Sequence, residues 1–238
     1  MQSPAPSAAL VDDLVAANRI LFRHGVVDGF GHVSVRHDGD PQRFLLARNM
    51  APALVTAGDI MTFALDGTPL DGDARTPYLE RFIHGSIFRA RPDVGAVVHS
   101  HAPAVLPFGL VADVPLRPVW HMSSFLIAEV PVFEIRDAYG PQNDMLVRDA
   151  AGGDALARTL GGHCAVLMRG HGATVAGDDV RQAVFRAVYM ALNAHVQAEA
   201  MRLGSVTFMS AEEATRSAAT NAGQIERAWS LWTAELEA

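Results

Sequence analysis

Two histidines one residue apart, His99 and His101, close the apolar run Val94-Gly95-Ala96-Val97-Val98. Such a run reads as a buried strand. Side chains two apart on a strand point to the same side. Both imidazoles can therefore meet at one point, with Ser100 facing away. Two convergent neutral imidazoles make a natural chelate for a divalent metal. The plainer alternative is a pair of partly exposed histidines at a strand end. Two further residues weigh towards chemistry: Glu80 in the preceding segment, and His171 within Arg169-Gly170-His171-Gly172. Glycines on both sides of a histidine let backbone pass close to a bound ion or ligand.

The elements that must position these groups follow from periodicity. Tyr78, Phe82, Ile83 and Ile87 recur at helical spacing, with Pro77 in the first turn, so a helix is expected from Tyr78. Arg91-Pro92-Asp93 ends it, because the residue before proline is pushed out of the α region. Upstream, Ser7 caps a helix to about His24, and His32 to Arg36 alternates as a strand. Val33 and Val35 share one face; His32, Ser34 and Arg36 share the other, as a solvated edge or as the lining of a site. Further strands are expected over 44–47, 60–65, 132–135, 165–168 and 173–176, with short helices over 102–108 and 122–127. Asp154 opens a helix to Leu160, and Asp178 caps the longest helix, to about Leu203, with His195 on its apolar stripe. Ser210 to Glu213 forms a capping box for one last helix to about Trp232. Helices and strands intermix without regular alternation, which indicates a mixed α/β domain spanning 1–238.

Composition bounds the partners. At 238 residues, half of them hydrophobic, the chain can bury a core without staples. A net charge of -7 argues against nucleic acid as the main partner. One cysteine, Cys164, excludes an intrachain disulfide framework and fits a reducing cytoplasm. No secretory pattern and no membrane-length apolar run is expected.

The pieces Gly31-His32-Val33-Ser34-Val35-Arg36, Glu80, RPDVGAVVHSHAP over 91–103 and RGHGATVAGDDV over 169–180 together resemble the class II aldolase/adducin family. The resemblance implies a three-layer α/β/α fold around a mostly antiparallel sheet. It also implies a homotetramer with sites near subunit interfaces, and one divalent ion per subunit on His99, His101 and His171. Glu80 falls at the family's catalytic acidic position. Three departures bear on substrate. Sugar-phosphate aldolases of the family have Asn where this chain has His32. They have a Ser-Gly turn where it has Arg48-Asn49-Met50-Ala51-Pro52, and Ser-Ser where it has Tyr78-Leu79. Those small polar residues hold a phosphate. Their replacement implies an unphosphorylated substrate in a flatter, more apolar pocket beside Tyr78, with Arg48 or Arg36 for a carboxylate.

The altered pattern is similar to a branch of non-oxidative decarboxylases of hydroxylated aromatic or pyridine ortho-dicarboxylates. On that resemblance the substrate is a small anionic aromatic acid, and the metal is manganese or zinc, with iron compatible. Glu80 is expected as general acid/base and His121 as the next proton donor, with a structural loop histidine equally open for His121. His32, Ser34 and Arg36 are expected at the second carboxylate. His84, one turn after Glu80, reads more simply as a helix-face histidine. Rival readings are an aldolase for an unphosphorylated hydroxy-keto acid and a non-catalytic, adducin-like assembly module.

Overall fold

Strand residues alternate between two apolar layers, and that alternation sets the architecture. The computed structural model describes residues 5–70 and 72–237. Its strands are β1 (His32–Arg36), β2 (Arg43–Ala47), β3 (Ile60–Ala64), β4 (Ala96–Ser100), β5 (Val132–Phe133), β6 (Ala165–Met168) and β7 (Gly172–Gly177). They form one sheet in the order β3-β2-β1-β4-β7-β6-β5, and every neighbouring pair is antiparallel except β5 with β6. On one face, Val33, Val35, Ala96, Val98, Ala173 and Val175 pack with three helices: α1 (Ala8–Arg23), α6 (Val180–Leu203) and α8 (Ile225–Glu237). On the other, Phe44, Leu46, Val97, Val166 and Met168 pack with α2 (Arg81–Ala90) and α5 (Ala150–Leu160). The remaining α-helices of the described residues are α3 (Leu106–Leu110), α4 (Arg136–Tyr139) and α7 (Ala211–Ala222). This is the α/β/α sandwich around a mostly antiparallel sheet that the resemblance implied.

Register places the polar strand positions in a row. His32 pairs with His99 across β1 and β4, and His99 pairs with Thr174 across β4 and β7. All three lie on the α2 face, because their neighbours Val33, Val98 and Val175 face α6. β1 is an interior strand buried on both faces, so the solvated-edge reading of its polar side does not hold.

Several boundaries differ from those expected. The helix expected at Tyr78 begins at Arg81, with Glu80 at its N-cap; Pro77 forms a bridge with Arg48 instead of a first turn. α3 starts at Leu106, four residues later than the helix expected from Ala102. Asp179 caps α6, its side chain accepting from Gln182 N–H. The far half of α6 buries Asn193 and Gln197, which hold the carbonyls of Arg117 and Pro115, and His195 is exposed. The last helix is two, broken near Gly223. Among the described residues no helix is long and apolar enough to cross a membrane.

α5 begins at Ala150 under an Asp149 cap and carries Gly152 and Gly153 inside it. A Cβ at Gly153 would lie 2.5 Å from the Phe82 carbonyl oxygen and 2.6 Å from Ser86 Oγ, so α2 crosses α5 at bare backbone. Alanine is the better helix former, yet Gly153→Ala is expected to lower stability by about 1–3 kcal/mol through overpacking. Urea unfolding checks this, and a variant as stable as the parent would mean that the two helices separate without cost.

Candidate metal centre

Four side chains from three places in the chain meet on the α2 face. His99 is the penultimate residue of β4, and His101 follows the strand immediately. His171 sits in the β6–β7 turn, where Gly170 adopts φ +64 and supplies the left-handed residue the turn needs. A Cβ on Gly172 would lie 2.1 Å from the Ser100 carbonyl, so only glycine lets β7 come close enough to bring His171 against His101. Glu80 enters from the N-terminus of α2. The Nε2 atom of His101 lies 3.1 Å from that of His99 and 3.0 Å from that of His171. Glu80 Oε2 lies 3.6 Å from His99 Nε2 and 3.4 Å from His171 Nε2. One ligand atom from each of the four lies within 4.8 Å of the others.

The surroundings aim lone pairs inward. His171 Nδ1–H donates to the Met145 carbonyl at 2.7 Å, which leaves the lone pair of its neutral form on Nε2. Thr174 directs its hydroxyl to Met168 Sδ and lies 3.4 Å from His99 Nδ1, where its oxygen can accept. Glu80 Oε1 accepts from Val147 N–H at 2.9 Å, which turns Oε2 towards the imidazoles. Burial, then the neighbouring imidazoles, push His99 well below the usual histidine range. Burial also lowers His101. For His171, burial acts downward, but the hydrogen bond and charge of Glu80 outweigh it and the net direction is up. A set of inward-facing imidazole lone pairs beside a carboxylate is the donor chemistry of a divalent cation site. The nitrogen spacing is close to the about 3.3 Å edge of a tetrahedral shell with ordinary metal–imidazole distances.

Other expected site residues are distributed unevenly. His32 comes to the centre: its ring centroid lies 5.0 Å from that of His99 and 4.6 Å from that of Tyr78. Tyr78 is mostly buried, donates its hydroxyl to the Met50 carbonyl, and is pushed up to about 12 by burial. Ser34 does not face the cluster directly; its Oγ is bonded to His84 Nδ1 at 2.6 Å. His84 is fully buried against the sheet and also bonded to His32 Nδ1, so the helix-face reading understated it. Its place one turn after Glu80 was the available signal.

Arg36 is corrected. It lies at the far end of β1, roughly 13 Å along the strand from His32 at the usual rise per residue. Its guanidinium donates to the carbonyls of Val94, Pro41, Phe88 and Arg91, closing the C-terminus of α2. His121 is also not brought to the cluster within one chain. Its neighbour Trp120 packs on Tyr189 of α6, the opposite side of the sheet, and its own carbonyl accepts from Ser217 and Asn221.

Arg48 remains beside Tyr78, anchored through Nε to Asp59 Oδ1 at 2.7 Å. Bonds from Thr56, then from Arg48, hold the Asp59 carboxyl at about 2 against an ordinary 3.8. Because the folded value is the lower one, its stabilisation is fully present above about pH 4 and fades as pH falls through the folded value. The stability difference between the parent and Asp59→Asn is expected to shrink over that interval in urea titrations. A difference that holds constant to pH 2 would contradict the pairing.

Residues 12–198 match the model of the class II aldolase and adducin N-terminal domain. The chain is 34% identical to decarboxylase tropJ of Talaromyces stipitatus, over 98% of this chain and 96% of that one. It is 33% identical to 3,4-dihydroxyphthalate decarboxylase of Arthrobacter keyseri, over 78% of this chain and 76% of that one. A solved aldolase II superfamily protein from Pseudomonas syringae superposes with TM-score 0.79 at 22% identity, covering 96% of this chain and 92% of that one, a likeness of fold. These relatives support a decarboxylase. The chain belongs to the class II aldolase and adducin family and is a carbon–carbon lyase.

Proposed function

We propose that the protein is a divalent-metal-dependent, non-oxidative decarboxylase of a hydroxylated aromatic or heteroaromatic ortho-dicarboxylate. The observation that carries the reading is a carboxylate, Glu80 Oε2, held within 3.4–3.6 Å of two members of a converging imidazole triad. His99, His101 and His171 would hold manganese or zinc. The ion would supply a Lewis acid for the oxygen that takes up the electrons of the broken carbon–carbon bond.

The rest falls to the chain's own groups. Glu80, fixed through Oε1, takes the proton of the ring hydroxyl on Oε2 and delivers it to the ring carbon that bears the leaving carboxylate. That carbon becomes tetrahedral, the carbon–carboxylate bond breaks, and CO2 departs. The bonding pair returns to the ring, whose hydroxyl oxygen ends as the phenolate of the product. Tyr78 and His32, packed ring against ring, would flank the substrate, and His32 with Arg48 would receive the second carboxylate. His121 would serve as a donor only to the site of a neighbouring subunit, which suits the family's tetrameric arrangement.

The test is incubation of metal-loaded protein with a small panel of hydroxylated phthalates and hydroxypyridine dicarboxylates, with CO2 and organic products both measured. One equivalent of CO2 per phenol formed, without an aldehyde, is the expected result. An aldehyde from hydroxy-keto acids, with no CO2 from the panel, would favour aldol cleavage instead.

A further inference from the structure

We propose that Ser34 and His84 act as positioning residues, holding His32 as a neutral imidazole with its hydrogen on Nε2, so that His32 presents a permanent donor to a substrate oxygen. Only the identity of that oxygen, a carboxylate of the substrate, rests on the function proposed above.

The argument is a count of hydrogens along a buried chain. Ser34 Oγ, His84 Nδ1, His84 Nε2 and His32 Nδ1 are joined by two contacts of 2.6 Å each. Ser34 and His84 are fully buried and His32 nearly so. A neutral imidazole has one donor and one acceptor nitrogen, so the chain can run in either of two directions. In one, His32 donates from Nδ1, His84 donates from Nδ1 to Ser34 Oγ, and the serine hydrogen is left in the interior without an acceptor. In the other, Ser34 donates to His84 Nδ1, His84 Nε2–H donates to His32 Nδ1, and both hydrogens inside the chain are used, leaving only the one at its far end, on His32 Nε2. Burying an unmade donor is costly, so the second direction prevails.

That direction decides the free end. With Nδ1 accepting, the hydrogen of His32 must be on Nε2. This atom has no hydrogen-bond partner within the described chain, yet it is not among the sealed-off orphans; of those, only Trp120 Nε1 is found among the described residues. The His32 ring lies against Tyr78 on one side and His99, a member of the triad, on another, so the ring sits beside the triad. A neutral donor there pairs with a carboxylate or phenolate oxygen and rejects a group that must itself donate. Ser34, expected from sequence to touch substrate, instead acts from behind through two imidazoles.

The test is nitrogen-15 NMR of the zinc-loaded protein, using long-range couplings within each imidazole to read which nitrogen carries hydrogen. His32 and His84 are both expected as Nε2–H forms. Hydrogen on His32 Nδ1, or on both its nitrogens, would overturn the proposal. Ser34→Thr and Ser34→Val differ by the hydroxyl alone and so share their packing. Thr is expected to keep the parent pattern, and Val to release His84 and His32 into mixed forms. Ser34→Val should also bind the unreactive probe phthalate about tenfold more weakly than Ser34→Thr, the size expected for a bond to a charged group. Identical tautomers and affinities in the two variants would equally overturn it. Turnover of the substrate panel is a separate readout. Absent turnover with the Nε2–H pattern intact would defeat the proposed reaction and leave the positioning chain standing.

Discussion

Glu80→Gln is expected to keep a full equivalent of divalent metal and to lose turnover by about a thousandfold, the scale of a missing general acid. Glutamine preserves the shape, and its carbonyl oxygen can still accept from Val147 N–H. Its amide then occupies the Oε2 position, where it has no titrating proton to deliver. Metal content measured by mass spectrometry and decarboxylation rates on the same preparation decide the matter. Near-normal turnover would remove Glu80 from proton transfer. Loss of the ion along with activity would instead make Glu80 a ligand, a role its distances to His99 and His171 also permit.

His171→Ala is expected to have the second large effect. Removing one of three imidazoles should weaken metal retention by at least about a hundredfold, since even supporting partners of a ligand are worth ten- to a hundredfold. Activity should fall with the metal. The side chain sits in a turn and belongs to neither apolar core, so the fold should persist. Dialysis against a weak chelator followed by metal analysis tests this. Circular dichroism separates it from unfolding. A variant that holds its ion as tightly as the parent would exclude His171 from the site.

Local signals were readable from sequence where a strand or cap explains itself. Val33 and Val35 alternating with His32 and Ser34 define β1, and Ser7 caps α1 through Leu10 N–H. The two-residue spacing of His99 and His101 is enough to set them on one side of β4. Register is different, because it depends on pairing between distant segments. Nothing local says that His99 lies between His32 and Thr174, or that Met145 and Val147 supply backbone groups to the site. Arg36 misled for the same reason: four carbonyl partners, three of them more than fifty residues away, occupy a side chain that looked free. The helix expected from Asp154 starts at Ala150 and takes in Gly152 and Gly153, because close packing of Tyr139 on the first and of α2 on the second turns their small size into a requirement. His84 shares a helix with the cap residue Glu80, yet which of its faces meets the sheet is decided by Ile83 and Ile87 entering the second core.

Anomalous scattering from crystals soaked in manganese tests the metal centre most directly. One strong peak per chain is predicted, within bonding distance of Nε2 of His99, His101 and His171, with Glu80 alongside. No peak there, or a peak that leaves His171 uncoordinated, would contradict the account.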